Sequence, residues 1–245
     1  MSASLDIHNT KRVLMIVANP GTSPTTGWPV GFWWAEVTHP YWTFTEAGYE
    51  VEIASPKGGD LMADGFSDPE DESQYSAHDI VSLGFKKSPT HSAMLEGTKS
   101  IADVSIDDYD AIFVAGGQSP MVTMVDDEDL HAFIAKAYEA DKVVSIVCHG
   151  TSVLLKTKLS NGDLLVKGKT WTGFANAEEK FADDFVGQKI QPFWIEEEAR
   201  KIEDTNFVVQ SMFKPFAVRD GNLITGQQQF SGAAAAELVV ETLGV

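Results

Sequence analysis

Three short, almost uninterrupted apolar runs constrain this chain more than any other feature: residues 13–18 (VLMIVA), 111–115 (AIFVA) and 143–147 (VVSIV). A strand with one wet face alternates apolar and polar side chains. A run that does not alternate must be covered on both faces, as parallel strands in α/β proteins are. Helical periodicity fills the spaces between them, over 32–47 with Gly48 as the stop and over 128–140. Residues 49–54 (YEVEIA) add a strand that ends in the turn 55–59 (SPKGG). The second half predicts a strand near 170–172, helices around 177–186 and 192–202, short strands at 207–210, 217–219 and 222–225, and a closing helix over 231–243. Alternating βαβ order implies an α/β fold, a mostly parallel sheet with helices on both faces.

Only residues 60–101 break the pattern, mixing Asp, Glu, Ser, Pro and Gly with short apolar islands. This stretch is too short for a core of its own and reads as an insertion or lid within one domain spanning residues 1–245. The composition is that of an ordinary globular chain, 43% apolar and 22% charged. Its formal charge of −18 repels phosphate backbones and anionic lipid, so neither nucleic acid nor a membrane surface is an expected partner. No apolar run approaches the roughly 20 residues of a membrane span. The opening residues MSASLDIHNTKR lack the apolar core of a secretory signal, and a single cysteine excludes a disulfide framework. A reducing cytoplasm is the expected location.

That one cysteine, Cys148, follows the VVSIV run directly and precedes His149, Gly150 and the apolar residues 152–155. A nucleophile between a buried strand and a helix sits on a sharp turn at the carboxyl edge of the sheet, where α/β proteins bind ligands. Helix N-terminal N–H groups there favour thiolate, which predicts a lowered thiol pKa. The competing reading is a buried, inert cysteine, the commoner fate of a free thiol. Gly116 and Gly117, ending the AIFVA run, allow backbone N–H groups to approach a ligand as an oxyanion site requires, or form an ordinary turn. Glu36, in GFWWAEVTHP, is either a helix-surface carboxylate or an acid pointing into the site. Beside a thiolate in apolar surroundings it would be held protonated. His39 reads as a helix-surface or packing residue, and His8, His78, His91 and His131 show no metal-ligand spacing. The acidic runs 68–72 and 196–198 read as solvated surface.

Taken together, RVLMIVAN, GFWWAEVTHPYWTFTEAGYEVEIASPKGG, YDAIFVAGGQSPM, VVSIVCHGTSVLL, GKTWTGFANAEE and DGNLITGQQ resemble the ThiJ/PfpI superfamily, the class I glutamine amidotransferase-like group. Within it the chain is most similar to the branch of heat-inducible chaperones with glyoxalase III activity. The resemblance implies a flavodoxin-like sandwich. It implies Cys148 as nucleophile, His149 as its basic partner, Glu36 as the buried acid, and Glu179 as the residue orienting the histidine, with Glu178 the neighbouring choice. Backbone N–H groups of Gly117 and His149 would form the oxyanion hole. The chain departs from the branch in reading GGQSP for GGHG and in carrying Thr151 where proline is common. Ile146 stands where glutamine amidotransferases keep glycine, which disfavours glutamine hydrolysis.

The implied activity is cofactor-independent conversion of small 2-oxoaldehydes such as methylglyoxal to 2-hydroxy acids, by a homodimer whose insertion serves as lid or dimer element. A cysteine peptidase or amidase acting on acyl substrates, and a holdase chaperone, are the competing classes. A cramped site lined by Trp33 or Trp34 favours the aldehyde; a roomy one favours acyl hydrolysis.

Overall fold

The computed structural model describes residues 10–244; the N-terminal reading and His8 lie outside them. A seven-stranded sheet forms the centre, from β1 (Arg12–Ile16), β2 (Glu50–Ser55), β3 (Lys99–Ser100), β4 (Ala111–Val114), β5 (Val143–Val147), β6 (Ala217–Asp220) and β7 (Leu223–Gly226). Its order is β6-β7-β5-β4-β1-β2-β3, with every pair parallel except the β6–β7 hairpin. Every residue of β4 and β5 is buried, as their unbroken apolar runs demand. Helices α1 (Trp34–Glu46), α2 (Ile80–Lys87), α3 (Glu128–Glu139), α4 (Asn176–Val186), α5 (Ile195–Ala199) and α6 (Gly232–Leu243) surround it.

The strand order locates the ligand crevice. From β1 the chain crosses through α1 to β2 on one side, while from β4 it crosses through α3 to β5 on the other. Right-handed crossovers in opposite directions place the two helices on opposite faces and leave a switch point between β1 and β4. The register aligns Ile16 with Val114 and Val114 with Ile146, so the segments leaving β1, β4 and β5 emerge level at the carboxyl edge.

Several elements differ from expectation. Phe32 lies outside α1 because it bridges Ala63 across the insertion. The expected strands near 170–172 and 207–210 reduce to Thr170–Trp171 and Asn206–Phe207, which pair with each other outside the main sheet. The helix expected over 192–202 is only Ile195–Ala199, and the turn after Cys148 is a 3-10 helix, Cys148–Leu155. The insertion divides into two parts. Its second part packs α2 on α1, with Phe85 against Trp34 and Tyr41, and supplies edge strand β3. Neither acidic run is simply solvated. Asp68 and Glu70 pair with Lys86 and Lys87, and buried Glu196 accepts from the Asn176 N–H at the start of α4 while pairing with Arg200.

Candidate active site

Cys148 occupies the turn between β5 and the 3-10 helix with φ of 56°, a left-handed conformation that non-glycine residues rarely adopt. The Thr151 hydroxyl fastens this turn by donating to the Cys148 carbonyl at 2.7 Å. Gly150 packs closely, since a Cβ there would lie 3.0 Å from the Ala115 carbonyl oxygen. The cysteine is buried, and the backbone N–H groups of His149 and Gly117 lie close enough to its sulfur to pull its pKa down.

The β4 turn and the start of α1 grip one another. Trp33 N–H donates to the Gly116 carbonyl at 3.3 Å, and Gly116 N–H donates to Glu36 Oε2 at 2.7 Å. A side chain at Gly116 would strike the Glu36 carboxyl at 2.5 Å and Cys148 Cβ at 2.8 Å. Glu36 is therefore not a helix-surface residue. It is fully buried beside the cysteine, and its Oε1 has no conventional hydrogen-bond partner. Burial raises its pKa to about 7, against the opposing pull of Cys148, the Gly116 N–H and His149.

His149 Nδ1 lies 3.7 Å from Cys148 Sγ, and its Nε2 is 3.0 Å from Glu179 Oε1. Phe174 stacks on the imidazole with centroids 4.1 Å apart. Burial disfavours the imidazolium, but the Glu179 charge and hydrogen bond, helped by Glu36 and Asp64, raise the histidine pKa overall. Burial also raises that of Glu179. Glu178 faces elsewhere. Its carboxyl accepts from the N–H groups of Ala175 and Phe213 and from Gln227 Nε2, tying α4 to the C-terminal segments.

The thiol does not follow the sequence expectation. Burial and then the Glu36 charge push its pKa well above the ordinary range, more strongly than the His149 and Gly117 N–H groups pull it down. The turn supplies the expected donors, but the site is buried and already holds an acid. Both shifts favour the protonated forms of Cys148 and Glu36.

Sequence reasoning missed Asp64. This buried insertion residue accepts from Gly31 N–H with Oδ1 at 2.8 Å and from Gln118 N–H with Oδ2 at 2.6 Å. It thereby joins the approach to α1 to the turn carrying Gly117. Burial raises its pKa to about 7 as well. Its partners are backbone groups from two distant segments, so no spacing in the sequence marks it; the only local sign was a charged residue beside Gly65 in an otherwise irregular stretch.

The sulfur opens into a small cavity of about 80 Å³, lined by Trp33, Phe66, Tyr75, Phe174, Phe185 and Phe213 among others. Trp34 instead lies in the core. Among the described residues, no group of three His, Cys, Asp or Glu side chains is arranged to hold a metal, and no helix is long and apolar enough to cross a membrane.

A cysteine on a strained strand-to-helix turn, with a histidine–carboxylate pair and two N–H groups aimed at the sulfur, defines a nucleophile-elbow protein on a flavodoxin-like sheet. The chain belongs to the DJ-1/PfpI family, whose sequence pattern matches residues 30–242. It is 27% identical over 237 residues to glyoxalase 3 of Candida albicans, covering 94% of this chain and 97% of that protein. The crystal structure of C. albicans glyoxalase III superposes with a TM-score of 0.75 at 25% identity, covering 94% of this chain and 96% of that one. Rapid Encystment Protein 24 kDa of Francisella tularensis superposes with a TM-score of 0.84, also at 25% identity, covering 96% and 100% of the two chains.

Proposed function

We propose that the protein converts 2-oxoaldehydes to 2-hydroxy acids without a cofactor, with Cys148 as nucleophile. The similarity to C. albicans glyoxalase 3 supports this reading, and the observation that carries it is Glu36. A buried carboxyl with a pKa of about 7 beside the sulfur can give or take a proton at neutral pH. Acyl hydrolysis needs a nucleophile, a base and an oxyanion hole, but no second acid in this place. An internal proton transfer between adjacent carbons does.

Sulfur adds to the aldehyde carbon as its proton passes to Glu36 or His149, and the resulting oxyanion is held by the Gly117 and His149 N–H groups. His149, oriented by Glu179, removes the hydrogen from that carbon to give an enediol, and a proton returns to the neighbouring carbon. The former aldehyde carbon is now an acyl thioester and the former ketone a carbinol, so oxidation and reduction balance within the substrate. Water releases the 2-hydroxy acid and restores the thiol. This chemistry requires a reduced cysteine and suits a reducing cytoplasm. A homodimer, with the insertion covering the site as a lid or contributing to the contact, completes the reading; sedimentation velocity tests the dimer.

The decisive assay incubates pure protein with methylglyoxal, without glutathione, and measures aldehyde loss and lactate appearance. Stoichiometric lactate from the wild type and none from Cys148→Ala is expected. Release of amine from peptides or amides with no lactate would instead select the hydrolase. Suppression of client aggregation by both proteins, with no turnover, would select the holdase.

A further inference from the structure

Gln118 is the first residue at which the GGQSP turn departs from the related branch, and it directly follows Gly117, one of the two oxyanion donors. Three backbone hydrogen bonds pin this turn. Trp33 N–H donates to the Gly116 carbonyl at 3.3 Å, Gln118 N–H to Asp64 Oδ2 at 2.6 Å, and Ser119 N–H to the Gly31 carbonyl at 3.0 Å. The Gln118 side chain therefore starts from a fixed point one residue from the oxyanion donor, and it lines the small cavity shared by Cys148 and His149.

Most other polar side chains of the lining are engaged. His149 and Glu179 bond to each other, and Tyr75 bonds to Gln229. Gln118 differs, because its side-chain oxygen is buried without a hydrogen-bond partner. A buried amide oxygen left unpaired is costly, so a ligand that supplies the missing partner is favoured by more than an ordinary exchange with water. Gln191, buried in the segment between α4 and α5, also lines the cavity, but its segment is remote in sequence from the oxyanion turn.

We infer that the Gln118 carboxamide binds the oxygen on the carbon next to the aldehyde; this rests on the proposed aldehyde chemistry. Once Cys148 has added, the former aldehyde oxygen lies at the Gly117 and His149 N–H groups, and the second oxygen lies one carbon further along. That oxygen changes character during the reaction. As a ketone it accepts a hydrogen bond, and as an enediol or carbinol hydroxyl it also donates one. A carboxamide serves both states, since its NH2 donates and its oxygen accepts, without taking or giving a proton itself. Gln118 thus holds the second carbon in place while His149 moves the proton.

The test measures how well two three-carbon aldehydes protect Cys148, the one cysteine of the chain, from iodoacetamide at pH 9, read by mass spectrometry. Lactaldehyde carries an oxygen on the second carbon and propanal does not. Wild type is compared with Gln118→Met, which keeps the unbranched shape and loses the amide, and with Gln191→Met; thermal melting checks that each variant is folded. In Gln118→Met the protection constant for lactaldehyde should weaken by about tenfold, the upper range for one neutral hydrogen bond. That for propanal should stay within about twofold, so the intrinsic reactivities of the two aldehydes cancel. Gln191→Met should leave both constants unchanged. Equal effects of Gln118→Met on the two aldehydes, or a selective loss in Gln191→Met instead, overturn the assignment and leave the aldehyde chemistry standing. Failure of both aldehydes to protect the wild type overturns the underlying reading and the assignment together.

Discussion

Replacing Glu36 by Gln isolates the free energy that the fold spends on one buried acid. The amide has nearly the same shape, and its oxygen can still accept from the Gly116 N–H, now 2.7 Å from Oε2. Burial raises the Glu36 pKa from 4.5 to about 7. The folded state therefore holds a proton that the unfolded chain releases, and the stabilising contribution is complete below the unfolded value. It is lost as pH rises through the folded value, and above it the ionised form costs roughly 3 kcal/mol at about 1.4 kcal/mol per pKa unit. Glutamine never ionises. Thermal unfolding at pH 5 and pH 8 should show variant and wild type within about 1 kcal/mol of each other at the lower pH. At the higher pH the variant should melt roughly 6–12 °C above the wild type, the shift that about 3 kcal/mol produces in a chain of this size. The same variant should lose turnover, because an amide cannot pass a proton to substrate. A melting difference that does not change with pH would refute the reasoning, since Glu36 would then be no more protonated in the folded than in the unfolded chain.

Four further outcomes are expected. Alkylation of Cys148 by iodoacetamide should be slow at pH 7 and should accelerate in Glu36→Gln, where the like charge that raises the thiol pKa is gone; an unchanged rate would remove Glu36 from the thiol's surroundings. Glu179→Gln should lower kcat by about 10²-fold or more with little change in melting temperature, whereas Glu178→Gln should mainly destabilise, because its carboxyl accepts three hydrogen bonds and an amide oxygen cannot replace both carboxylate oxygens. Asp64→Ala should reduce kcat by about tenfold, worth roughly 1.4 kcal/mol, and change KM little, since it frees the Gln118 end of the turn that carries the Gly117 N–H; steady-state kinetics separates the two. Gly117→Ala should lose more than about 3 kcal/mol of stability, measured by urea unfolding, because φ is 104° and the new Cβ would lie 2.5 Å from the Gly31 carbonyl oxygen.

The frame was legible wherever one local signal determined the structure. Residues 143–147 could only be a doubly covered strand, and the cysteine after them could only leave the sheet at its carboxyl edge. Residues 111–115 with two glycines fixed the neighbouring turn in the same way. What escaped were features made by tertiary encounter. For Glu36 the helix sequence left the inward face open and only the resemblance marked it as the buried acid; its burial follows from Gly116 approaching α1 closely. Asp64 is held by two amides, from Gly31 and Gln118. Glu196 looks like one of three equivalent acids until the Asn176 N–H selects it. The raised thiol pKa escaped for a related reason: N–H groups near the sulfur can be read from a turn, but the depth of burial of the sulfur cannot.

The fastening of the insertion determines how a substrate reaches the sulfur. Phe32 and Ala63 bridge at its base, Asp64 is bound on two sides, and the Ser76 hydroxyl donates to the Phe66 carbonyl across the loop at 2.7 Å. A cover held at these points has no free hinge and does not swing away as a unit. Phe181 and Phe185, which line the cavity and remain exposed, are freer, since exposed side chains change rotamer in picoseconds to nanoseconds. Side-chain rearrangement at this lining is therefore faster than any displacement of the cover as a whole.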